Sequence, residues 1–189
     1  MDQPGGDPFD RELVSEKQCS LENLVYTLEP AYKLLEPFKG RSLILCFGTT
    51  GCGKSTMLNS VLYGSSSLQK TSLVEEVQLR NGEKRTNTRT VIDVKQEGTH
   101  FKIGHSRVTS QTFIPFFIED PESNYVWADI AGFGDTSGDL IEYINTFIDK
   151  KIFMLAKEVK IIMPFTVAQM EDQRGGIVAA LIKLMQNIF

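Results

Sequence analysis

Cross-linking and metal-binding chemistry is scarce in this sequence. Three cysteines, Cys19, Cys46 and Cys52, have no paired spacing, and the two histidines, His100 and His105, have no cysteine or acidic cluster beside them. These absences exclude a disulfide framework and a thiolate or histidine zinc site, and free thiols in a reducing compartment are expected. No apolar run approaches the length of a membrane span. The start, Met1-Asp2-Gln3-Pro4-Gly5-Gly6-Asp7-Pro8, is polar and acidic, unlike a secretory signal. The expected location is cytoplasmic. Positive charge is not in excess either. A net charge of −4 supplies no global field for nucleic acid or acidic membranes. The nearest thing to a basic patch, Lys84-Arg85-Thr86-Asn87-Thr88-Arg89, reads as a solvated loop.

What the sequence does hold is a glycine loop. Gly48-Thr49-Thr50-Gly51-Cys52-Gly53-Lys54-Ser55-Thr56 meets the pattern G-x-x-x-x-G-K-[ST] at every required position. An apolar run, Leu43-Ile44-Leu45-Cys46-Phe47, precedes it, and a helical stretch from Met57 follows. Strand, glycine loop and helix in that order form a phosphate cradle. Glycines let the backbone close on an anion, successive N–H groups point inward, and the helix adds its positive dipole end. Lys54 is placed to reach the β and γ phosphates and Ser55 to ligate Mg2+. Every residue from Gly48 to Thr56 is a candidate nucleotide contact.

Along the rest of the chain, strand and helix patterns alternate. Residues 1–39 are expected to form a disordered start and a helical extension, and residues 40–189 the nucleotide domain. In the extension Leu21, Leu24, Val25, Leu28, Tyr32 and Leu35 recur at helical spacing, with Pro30 expected to break the run in two. After the helix that ends near Tyr63, residues 73–79 and 90–95 read as strands about an Asn81-Gly82 hairpin. A short strand is expected at 101–103, and Pro115 marks 113–118 as an edge strand or bulge. Residues 125–130 form an apolar strand with Asp129 near its end. A helix then opens at Asp139, with Glu142 three residues on as in a capping box and a buried stripe of Leu140, Ile144, Phe147, Ile148, Ile152 and Leu155. Residues 159–165 read as a strand, Thr166 with Gln169 as a helix cap, and 177–188 as a last amphipathic helix. The expected class is α/β, three-layered, with a mainly parallel sheet. In such sheets ligands sit at the carboxyl ends of the strands.

Asp129 narrows the chemistry. A carboxylate at the end of an apolar strand is the second Mg2+ anchor of phosphate-loop proteins. Many ATPases place Glu directly after it; here the residue is Ile130. No L-S-G-G-Q-like signature is present. Asp129-Ile130-Ala131-Gly132 instead gives D-x-x-G. The stretch Trp127-Ala128-Asp129-Ile130-Ala131-Gly132-Phe133-Gly134-Asp135-Thr136 resembles the translation-factor-related class of GTPases. In motif it is closest to the septin, immunity-associated and chloroplast-import branch. Met163-Pro164-Phe165-Thr166, with Glu171-Asp172 beyond it, is similar to the strand ending that precedes their next helix.

The resemblance implies that the Gly132 N–H contacts the γ-phosphate. It implies a threonine between the first helix and the next strand that completes the Mg2+ shell; Thr86, Thr88 and Thr90 are candidates, with Thr88 preferred. It implies GTP and GDP as ligands, Mg2+ as cofactor, and a homodimer across the nucleotide face. The chain departs from that pattern in three places. Ala131 replaces the usual Pro, the long interval from Lys54 to Asp129 requires an insertion, and no [NT]-K-x-D guanine-reading motif is present. The chain is therefore expected to be a fragment ending before that motif. Phe133 stands where some GTPases hold a water-orienting Gln, so hydrolysis is expected to be slow, with His105 or Arg174 as candidate groups supplied across a dimer. The leading expectation is a GTP-binding switch or assembly protein. The alternatives are an ATPase or nucleotide kinase on the same loop, or a nucleotide-binding interaction module without turnover.

Overall fold

The computed structural model describes residues 14, 19–78, 82–95, 100–104, 114–131, 139–171, 176, 179, 182 and 186. Helix α1 (Leu21–Leu35) leads through a 3-10 turn to strand β1 (Ser42–Cys46) and helix α2 (Lys54–Tyr63). Two long strands follow, β2 (Leu68–Gln78) and β3 (Lys84–Val94). Then come β4 (Phe116–Glu119), β5 (Tyr125–Asp129), helix α3 (Asp139–Leu155), β6 (Glu158–Ile162) and a single helical turn, α4 (Val167–Met170).

The main sheet has the order β4-β5-β1-β6. Strands β5 and β6 pair in parallel with β1, while β4 runs antiparallel on the outer edge of β5. The protein is thus α/β with a mixed, mostly parallel sheet. Alternation along the strands divides the core into two layers. Leu43, Leu45, Phe47, Val126, Ala128 and Ile130 pack with α1 and α3 on one face. Cys46 and Ile118 pack with Leu58 of α2 and with Phe101 on the other, joined by the half-buried Trp127. The chain leaves β1 on the α2 face to reach β5, and leaves β5 on the α3 face to reach β6. The carboxyl end of β1 lies between these two departures, the position at which α/β sheets open a ligand crevice.

Several elements differ from the sequence-based expectation. Pro30 does not break α1, which runs unbroken through it. The lost N–H costs one backbone bond, but Thr27, Ala31 and Leu35 are buried in contact with α3 and the core and hold the helix together. The basic stretch 84–89 is strand, not loop: β3 pairs with β2 over its whole length, from Lys84 opposite Gln78 to Val94 opposite Leu68. This ribbon is a sheet of its own, and β3 is exposed at every residue from Lys84 to Thr88. Exposure on both faces removes the period-2 signal by which a half-buried strand is read. Residues 101–103 form no strand. Pro164 lies beyond β6, which ends at Ile162. On α3 the buried face is Leu140, Ile141, Ile144, Ile148, Asp149 and Ile152, while Phe147 is exposed. Asp139 is the first helical residue, and it shares the first turn with Glu142, where carboxylates suit the helix dipole. The expected disordered start, and most of the expected last helix, lie outside the described residues.

Residues 100–104 are tied to α2 by the Asn59 side chain. The fully buried Asn59 amide donates to the Phe101 carbonyl (2.7 Å) and accepts from the Phe101 N–H (2.9 Å). Asn59→Ala strands both backbone groups in the core. Urea unfolding should show a loss of about 2 kcal/mol.

No helix among the described residues is long and apolar enough to cross a membrane.

Candidate functional site

Three segments meet at the carboxyl end of the sheet: the loop after β1, the end of β5, and the β6–α4 connection. The loop is shaped by glycine where no other residue suits. Gly53 is the N-cap of α2 in the left-handed conformation (φ +90°), which costs an L side chain roughly 1–2 kcal/mol. At Gly48 space is close: a Cβ there would lie 2.9 Å from Cys52 Sγ, which would have to shift, and 3.4 Å from the Pro164 carbonyl oxygen.

Lys54, the first residue of α2, is buried beneath the loop. Its ammonium donates to the carbonyls of Gly48 (3.3 Å) and Thr49 (3.2 Å). The Thr49 carbonyl also accepts from the Cys52 N–H (3.4 Å). A buried cation held by two neutral carbonyls is poorly compensated, and an anion in the cradle is its natural partner. The Thr50 hydroxyl oxygen is buried with no hydrogen-bond partner among the described residues. Both observations fit a phosphate group.

Asp129 ends β5 in register with Cys46 of β1. It is buried, and its carboxylate accepts from the Ser55 hydroxyl. A hydroxyl and a carboxylate, brought together from α2 and β5, are hard oxygen donors of the kind Mg2+ takes. No cluster of three or more His, Cys, Asp or Glu able to hold a metal ion occurs among the described residues. Cys46 lies beneath the site as an inert thiol. Burial, and then the Asp129 carboxylate, push its pKa up to about 12. A second buried carboxylate, Asp149 on α3, is held protonated towards about 8 by burial, with Lys54 acting against that shift.

The predicted residues fall on several elements. Gly48 through Thr56 form the loop and the first turn of α2, and Asp129 joins them through Ser55. Thr86, Thr88 and Thr90 lie on β3, exposed, with Thr88 opposite Val74 in the ribbon. The structure therefore gives Thr88 a strand's place in the ribbon. Ladder pairing fixes its backbone, and its side chain makes no hydrogen bond among the described residues. Gly132, Phe133, His105 and Arg174 lie outside the described residues.

One residue of the site went unassigned in the sequence except as a helix cap. Thr166 and Gln169 do form a capping box at α4. The Gln169 side chain also donates to the Thr49 hydroxyl at 2.7 Å. Nothing local signals that second bond.

No protein-family model, curated protein or solved structure matches the chain. The site is therefore defined by its own residues and geometry.

Proposed function

We propose that this chain binds a nucleoside triphosphate with Mg2+ through the loop after β1, and that the nucleotide is GTP, hydrolysed slowly. The observation that carries the phosphate site is the buried Lys54 ammonium folded into its own glycine loop, with the Ser55 hydroxyl on the Asp129 carboxylate beside it. Guanine is supported by the D-x-x-G-F-x-D-T resemblance at 129–136.

Each part of the site then has one task. The loop amides and the α2 N-terminus take the phosphate oxygens. Lys54 turns from the Gly48 and Thr49 carbonyls to the β and γ phosphates, exchanging neutral acceptors for charged ones. Ser55 and Asp129 would hold Mg2+, which when bound neutralises phosphate charge. Slow turnover is supported by the residue after Asp129. Ile130 is fully buried in the core on the α1 and α3 face, opposite to Asp129, and offers no base for water.

The test is a comparison of Mg·GTP and Mg·ATP affinities. GTP should bind at least about tenfold tighter, a difference of about 1.4 kcal/mol. Equal affinities would favour the ATPase or kinase alternative. Asp129→Ala should weaken Mg·GTP binding about tenfold while leaving binding in excess EDTA unchanged. An equal loss in both conditions would remove Asp129 from metal binding.

A further inference from the structure

We infer that Gln169 is a positioning residue for the phosphate loop, fixing Thr49 from the β6–α4 connection. This deepens the nucleotide-binding reading and rests on it for its affinity arm alone.

The Gln169 side chain is committed at both ends. Its Oε1 accepts from the Thr166 N–H (2.9 Å), and its Nε2 donates to the Thr49 hydroxyl oxygen (2.7 Å). Because the Thr166 N–H can only donate, the carbonyl end of the amide must face it, and the NH2 end must face Thr49. The backbone N–H of Gln169 donates in turn to the Thr166 hydroxyl (3.3 Å). The amide is thus fixed by the cap before it meets the loop.

Thr49 is where such a tie has most effect. Its carbonyl accepts from both Lys54 Nζ and the Cys52 N–H. A residue that fixes the Thr49 side chain therefore sets the carbonyl that parks the lysine and closes the loop. The same connection approaches the loop a second time, since the Pro164 carbonyl oxygen lies 3.4 Å from where a Cβ on Gly48 would stand. It is also anchored to the sheet, since the Phe47 N–H donates to the Ile162 carbonyl (2.8 Å). Backbone contact and side-chain bond together make 163–169 a brace that presses the loop from the β6 side. A loop held in shape before the ligand arrives loses less conformational freedom on binding, so the brace raises phosphate affinity without touching phosphate.

The experiment is a double-mutant cycle on the full chain with Mg·GTP as probe, read alongside backbone amide exchange in the nucleotide-free protein. Gln169→Met and Thr49→Val should each raise the Kd for Mg·GTP about tenfold, and the double variant no more than either single. Thr49→Ser, which keeps the acceptor, should recover most of the affinity that Thr49→Val loses. Amide exchange at residues 48–53 should quicken about fivefold in both single variants and not in Thr49→Ser. Thr49→Val leaves the α4 cap intact, so it keeps the test open if Gln169→Met perturbs α4. Additive losses of about a hundredfold, or exchange unchanged in both single variants, would overturn the role. If the parent binds no nucleotide, the reading of the site fails separately, and exchange at 48–53 alone decides whether Gln169 braces the loop.

Discussion

Lys54→Met should lower the affinity for Mg·GTP by at least about a hundredfold. In the free protein the ammonium is buried and donates to the Gly48 and Thr49 carbonyls. On binding it gains phosphate oxygens, and each charge-assisted bond is worth about 1.5–3 kcal/mol. Losing two such bonds costs about 3 kcal/mol or more, which is at least a hundredfold in Kd. Methionine keeps the length and apolar stem of lysine, so the packing of α2 through Leu58 on Cys46 and Trp127 is retained. It also removes a buried charge whose desolvation opposes folding. The variant should therefore unfold in urea within about 1 kcal/mol of the parent. Affinity lost in a folded protein is the expected result, measured by titration with a fluorescent GTP analogue. Unchanged affinity in a folded Lys54→Met protein would remove the phosphate site.

The parts of this site that could be read from the chain are those encoded locally. The loop, the strand before it and the helix after it are contiguous, so residues 43–63 carried their own structure. Asp129 was legible because a carboxylate ending an apolar strand has few structural uses, and β5 does bring it to Ser55. The brace was half legible. Thr166 and Gln169 announce a cap by their spacing, but the bond from Gln169 to Thr49 spans a sequence separation of 120. It exists only because β6 lies beside β1. The β2–β3 ribbon was underestimated for a different reason. The outer half of β3, Lys84 to Thr88, is polar on both faces, and only backbone pairing makes it a strand. Pro30 misled because a local penalty was set against α1–α3 packing, which local rules do not include. On α3, helical spacing places Phe147 in the buried stripe. The helix instead turns Ile141 and Asp149 inward, and a buried carboxylate breaks the apolar stripe by which the face would be recognised.

Asp149 carries the second large prediction, in stability rather than binding. Burial raises its pKa from the ordinary value of 3.8 to about 8 in the folded chain, with Lys54 opposing the rise. Below about pH 4 the carboxyl is protonated in both folded and unfolded chains and makes no difference between them. Above that, the unfolded chain releases the proton and the folded chain keeps it. Each pH unit in the interval then removes up to about 1.4 kcal/mol of stability. The stability present below pH 4 is lost as pH rises towards 8, by on the order of 6 kcal/mol, and stays lost above it. Asp149→Asn has the same shape and no charge. Its urea midpoint should match the parent near pH 4 and exceed it by a growing margin up to pH 8. A margin that does not grow with pH would show that the carboxylate is ionised in place. The lysine supplies an internal check. Because the Lys54 charge pulls the Asp149 pKa down, Lys54→Met should push it higher still. The pH-dependent loss in that variant should continue beyond pH 8, and Asp149→Asn should abolish the extension. The buried Lys54 cation, which the proposed phosphate site would use, is then also what limits the instability of the carboxylate on α3.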